Sequence, residues 1–170
     1  MSTDSSILAL VDAEFEVVHR PEHFTNFSHC CECAEHDNLL QSRTRETLKL
    51  EDVSNPGWDP LCFSSPEGVA YFFPSLARFA LAEPDSQSGW YGEQLLFHLS
   101  SGFKDNNFFR YCSPRQRRAV SIFLGHIIES RAALVEAYAA TDQFLRCHEL
   151  WSDAQCSAPA DAPTTGPSLS

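Results

Sequence analysis

Apolar residues recur along this chain every three or four positions, and no segment alternates with the two-residue period of a half-buried strand. Ile7, Leu10, Val11, Phe15 and Val18 predict a first helix over 6–18, closed by Arg20-Pro21, since proline disfavours helical geometry in the residue before it. A second helix is predicted over 28–41, with Ser28 as its N-cap, and a short helical piece over 44–50. The run NPGWDP, 55–60, is turn chemistry and must be a loop. Ser65 and Pro66 then open a further helix, which Pro74 should kink or restart and Glu83-Pro84 should end. Another is predicted over 89–100, with Gly102 just past its end.

The clearest start signal is SPRQ, 113–116: Ser113 can cap, Pro114 suits the first turn, and Gln116 can reach back. From Val120 to Trp151 the apolar rhythm continues, predicting a C-terminal helix of ~37 residues and ~55 Å. That is too long for a small domain to leave straight, so a bend is expected near Gly125 or around Thr141. The predicted fold is an all-α, irregular bundle of five or six helices with a long C-terminal helix. Its organisation is one domain over 1–153 and a disordered Ala/Pro/Ser/Thr-rich tail over 154–170.

Composition sharpens this only where it excludes. The 170 residues suit one domain, and 13 phenylalanines supply bulk for its core. A net charge of −11 argues against general binding to nucleic acid or anionic membrane. The first 60 residues carry 12 acids against 4 bases, a surface suited to a basic protein partner. No signal segment or membrane-length apolar run is visible, so a cytoplasmic protein is expected. Seven cysteines, an odd number with Cys30 and Cys31 adjacent, then read as free thiols rather than a disulfide framework.

Chemistry concentrates in HCCECAEH, 29–36. On a helix, His29, Cys33, His36 and Leu40 share one stripe, and Cys30 lies three before Cys33. Such a turn can aim two or three N/S donors at one point, where a zinc ion needs three or four. The missing ligand would come from His23, Asp59 or Cys62, with Cys62 the most attractive. Two other readings stand beside this one. Cys33 and Leu40 can be core positions with the histidines at the rim, or a cysteine near the positive helix end can be a reactive thiol.

Elsewhere, Arg110, Arg115, Arg117 and Arg118 could bind an anion at a helix start or balance the protein's own acids. His126 and Glu129 could face each other, and Trp90 and Tyr91 read as packing residues. The motifs of P-loop NTPases, dinucleotide enzymes, zinc proteases and serine hydrolases are missing.

The segments RPEHFTNFSHCCECAEHDNLL, NPGWDPLCFSSPEGVAYFFPSLARFAL, WYGEQLLFHL and CSPRQRRAVSIFLGHIIESR together resemble a group of uncharacterised bacterial single-domain proteins. The likeness spans about residues 20–153 and implies a bacterial origin and one shared domain. It transfers no activity, substrate or catalytic residue. The leading expectation from the residues is therefore a transition-metal site, zinc by ligand type, drawn from His29, Cys30, Cys33, His36 and Cys62. The rivals are a metal-free acidic module of the inhibitor or immunity type, and a thiol-dependent enzyme.

Overall fold

The computed structural model describes residues 2–153, and the tail expected over 154–170 lies outside them. The described residues are all-α. Six helices have ten residues or more: α1 (Asp4–Phe15), α2 (Cys31–Gln41), α4 (Pro66–Leu81), α5 (Tyr91–Ser100), α7 (Pro114–Ser130) and α9 (Thr141–Asp153). Three short ones join them: α3 (Leu50–Val53), α6 (Asn107–Tyr111) and α8 (Ala132–Ala137). Tight 3-10 turns cover Pro56–Trp58, Pro60–Cys62 and Phe103–Asp105.

Helix α4 is the centre. Twelve of its 16 residues are buried, so it must be covered on every side, and α1, α5 and α6 pack against it. The helix does not restart at Pro74 but runs through it. Proline there removes one helical N–H, and neighbouring side chains serve carbonyls in that turn. Arg45 Nε donates to Tyr71 O at 2.7 Å, and Arg78 Nη1 to Pro74 O at 2.8 Å. Phe73, in the same turn, meets Phe15 of α1 at 4.8 Å, Phe108 of α6 at 5.4 Å and Phe123 of α7 at 5.8 Å.

The long C-terminal stretch folds back as an antiparallel pair. Ser121 Oγ lies 2.7 Å from Ser152 Oγ, and Gly125 faces His148. One break falls where expected, just before Thr141, at Ala139 with φ +51°. The other falls at Arg131, not Gly125. Gly125 serves packing instead: a Cβ there would sit 3.3 Å from His148 Nε2. The capping box of Ser113 and Gln116 and the left-handed Gly102 after α5 are as the pattern predicts.

Helix starts differ from the expected ones. α1 begins at Asp4, capped by Thr3, and Cys30, not Ser28, caps α2 through its sulfur. The piece expected over 44–50 is a turn followed by α3, and α1 stops at Phe15. Arg45 in that turn donates to Phe15 O at 2.8 Å and Val18 O at 2.9 Å, and stacks on Tyr71 with its guanidinium 4.6 Å from the ring centre. One guanidinium thus closes the end of α1 onto α4. Arg45→Ala should cost about 2–4 kcal/mol, and Arg45→Lys should recover only part, because an ammonium lacks the planar fork. Urea denaturation of the three proteins checks this.

Candidate functional site

Asp37 fixes the approach to α2. Its Oδ1 accepts the N–H groups of Phe24 at 2.6 Å and Thr25 at 3.0 Å. Its Oδ2 lies 2.8 Å from His23 Nδ1 and accepts Gln41 Nε2 at 3.0 Å. Thr25 Oγ1 adds a bond to Cys33 O at 2.7 Å. Burial by itself would raise the Asp37 carboxyl. The His23 bond and the Thr25 and Phe24 N–H groups outweigh it and hold the carboxyl below its ordinary range. His23, one of the three fourth-ligand candidates, is thus engaged with a carboxylate.

His29 stands just before the cap, Cys30 is the cap, and Cys33 lies in the first turn of α2. The Cys30 sulfur accepts the Cys33 N–H at 3.4 Å. The two sulfurs are 3.3 Å apart, and Cys33 Sγ lies 3.8 Å from His29 Nδ1. All three ligand atoms lie within 4.8 Å of one another, so this group can hold a metal ion. A tetrahedral zinc, with bonds of about 2.3 Å to sulfur and 2.0 Å to nitrogen, sets S–S and S–N edges of about 3.8 and 3.6 Å. The two observed edges, 3.3 Å between the sulfurs and 3.8 Å from Cys33 Sγ to His29 Nδ1, lie within about 0.5 Å of those values.

The two thiols differ in proton affinity. The Cys33 N–H, then His29 and the Cys33 side chain, bring the exposed Cys30 thiol down to about 7. The buried Cys33 thiol is raised, by its bond to Cys30 first and then by burial.

His36 and Cys62 do not join this group, so the five residues offered by the sequence are not gathered at one point. His36 is fully buried between Phe63, stacked at 4.6 Å, and Trp58, tilted at 4.5 Å. Neither ring nitrogen has a hydrogen-bond partner among the described residues, and Glu32 Oε1 is 3.8 Å from Nε2. The stripe argument put His29 on the helix, whereas α2 begins two residues later and turns Cys33 and His36 to its buried side.

Cys62 lies instead with Asp59 and His98, again with ligand atoms within 4.8 Å of one another. The signal for this was D-P-L-C, which puts Asp59 and Cys62 in one tight turn; the sequence analysis did not single out His98. Asp59 Oδ1 accepts Leu61 N at 2.9 Å, while Oδ2 lies 2.7 Å from His98 Nε2 and 2.6 Å from Gln94 Nε2. A cavity of about 800 Å³ adjoins Asp59 and Cys62. Tyr91, in the first turn of α5, has a buried hydroxyl with no partner among the described residues. Burial, then the charges of Asp59 and Cys62, push it well above the ordinary tyrosine range.

The arginines do not converge on one point. Arg110 Nη1 is 3.8 Å from Asp105, and Arg115 is 2.9 Å from Glu14. Arg117 donates to Phe109 O and lies over the Phe109 ring at 4.5 Å, while Arg118 is exposed. His126 meets Asp4 at 2.6 Å rather than Glu129. No helix among the described residues is long and apolar enough to cross a membrane. Comparisons of the chain with protein-family models, curated proteins and solved structures found no match.

The Asp37 network carries a pH signature. A carboxyl lowered on folding stabilises above its unfolded value, near pH 4, and that stabilisation is lost as pH falls through the folded value. Asp37→Asn should cost about 2 kcal/mol at neutral pH and flatten the decline of stability below pH 4. Urea titrations across pH 2–7 measure both.

Proposed function

We propose that the protein binds a transition metal, zinc by ligand chemistry, through His29, Cys30 and Cys33. The supporting observation is the grouping of one imidazole nitrogen and two sulfurs at the start of α2, with the two measured edges within about 0.5 Å of those of a tetrahedral zinc. Cys30 ionises near neutrality, so metal binding displaces its proton at little cost. Cys33 is anchored behind it by the helix and by Thr25 on its carbonyl. His36 and Cys62 lie outside this group, so a solvent water completes the shell.

Protein purified without chelator and with reductant should carry about one zinc per chain. Cys30→Ser and Cys33→Ser should each abolish it, and Cys62→Ala should not. Added zinc should raise the melting temperature of wild type but not of Cys33→Ser. Elemental analysis and thermal melts decide; zinc retained in both serine variants would overturn the reading.

The same geometry favours a second reading, a dithiol that exchanges with disulfides. An exposed sulfur and a buried one stand 3.3 Å apart, the first with the lower proton affinity. Thiolate Cys30 would attack a partner disulfide, expelling one thiol. Cys33 would then attack the mixed disulfide, releasing the second thiol and leaving Cys30 and Cys33 oxidised by two electrons. In metal-stripped protein, Cys33→Ser should trap a small disulfide on Cys30. Trapping on another cysteine, seen by peptide mass mapping, removes this reading.

A further inference from the structure

The turn Pro60–Cys62 and α5 bring an oxygen, a sulfur and a nitrogen donor to one place. Ligand atoms of Asp59, Cys62 and His98, one from each residue, lie within 4.8 Å of one another. Asp59 Oδ2 and His98 Nε2 are in direct contact at 2.7 Å, and both side chains are more than nine-tenths buried. Among the described residues no Lys or Arg pairs with this carboxylate; its ionic partner is His98. The donors are also held from behind. Asp59 Oδ1 accepts Leu61 N–H at 2.9 Å, and Oδ2 accepts Gln94 Nε2 at 2.6 Å. The same Gln94 amide donates to Val53 O, and Asn106 Nδ2 donates to His98 O at 2.8 Å. Partners of this kind orient metal ligands.

Tyr91 is a second, independent observation. It shares one stripe of α5 with Gln94 and His98, at spacings of three and seven positions. Its hydroxyl is buried with no partner among the described residues, and the charges of Asp59 and Cys62 both act on it. A buried hydroxyl left unpaired is costly, and water on an ion at this place would serve it.

We propose that Asp59, Cys62 and His98 form a second metal site, for a divalent transition ion of the zinc type, separate from the group on α2. The donor set selects the ion: thiolate and imidazole suit zinc and its neighbours, whereas magnesium and calcium take oxygen. One carboxylate and one thiolate also balance the two positive charges, so the partly buried cluster is neutral. A tetrahedral ion sets edges of about 3.3 Å between oxygen and nitrogen and about 3.6 Å to sulfur. Reaching them takes shifts of little more than about 1 Å, and Cys62 is the exposed member free to make them. Cys62 and Asp59 line the cavity of about 800 Å³, and Cys62 and His98 line another of about 290 Å³. The ion thus has an entry path, and its fourth position takes water. Uptake must release the Cys62 proton to solvent and part Asp59 from His98. This site therefore fills from metal in excess of the single equivalent taken at α2.

Cobalt(II) is the probe, because thiolate ligation gives it a charge-transfer absorption in the near ultraviolet. Full-length protein carrying both Cys30→Ser and Cys33→Ser lacks the α2 thiols, and serine is itself a favoured N-cap. Excess cobalt should give this protein the absorption, and Cys62→Ala in the same background should remove it. His98→Gln should weaken cobalt binding by at least about tenfold. Should a variant fail to fold, the wild-type chain still decides. Excess zinc should slow iodoacetamide labelling of its Cys62 by at least about tenfold while the exposed Cys31 stays reactive. No thiolate absorption, an absorption that survives Cys62→Ala, undiminished binding by folded His98→Gln, or equal Cys62 labelling with and without zinc would each overturn the proposal. None of these results bears on the α2 reading, which the zinc content of the purified protein decides.

Discussion

A helix buried at 12 of its 16 positions cannot be solvated, and most of this structure is a consequence of covering α4. Its apolar side chains point in every direction, so no single partner helix suffices. α1 and α5 pack on it directly, α6 adds Phe108, α7 adds Phe123, and α9 folds back onto α7. The same burial makes Pro74 tolerable. Packing holds the helix together where one backbone bond is missing, and Arg45 and Arg78 serve neighbouring carbonyls. An exposed helix with this sequence would break at that proline.

The segment 56–63 is the second consequence. It has too little regular structure to stand alone, and it is fixed by what it touches on each side. Trp58 and Phe63 enclose His36 of α2, while Asp59 reaches Gln94 and His98 of α5. The segment therefore separates the two thiol groups. It covers the histidine that the sequence assigned to the first, and it carries the cysteine that founds the second.

Local signals were readable from sequence where the chemistry is local. The capping box at Ser113, the proline start at Pro66 and the glycine after α5 each depend on a few adjacent residues, and each is present. Helical class followed from period alone. What could not be read was distance between elements. Cys30 to Cys33 is fixed by one turn, so that half of the candidate metal site was visible. Whether Cys62 reached it depended on the path of 56–63, which is set by His36 burial and by Asp59 pairing with α5. His98 was missed for the same reason, since nothing near it in sequence marks Asp59, 39 residues earlier, as its partner. Gly125 misled in another way: glycine marks both bends and close approaches, and only the position of His148 distinguishes them.

The two cysteine groups differ in one physical respect that separates their chemistry. Cys30 receives hydrogen bonds from a helix-start N–H and has a histidine beside it, both of which favour negative charge on sulfur. Cys62 is partly desolvated and faces a carboxylate, both of which disfavour it. A sulfur that ionises readily binds a cation or exchanges with a disulfide without help. A sulfur that resists ionising is inert unless a base or a metal ion displaces its proton. Beside its burial, the Asp59 carboxylate that makes Cys62 a poor thiolate is itself held in place by Gln94 and His98, so the contrast between the two sulfurs is built into the path of 56–63.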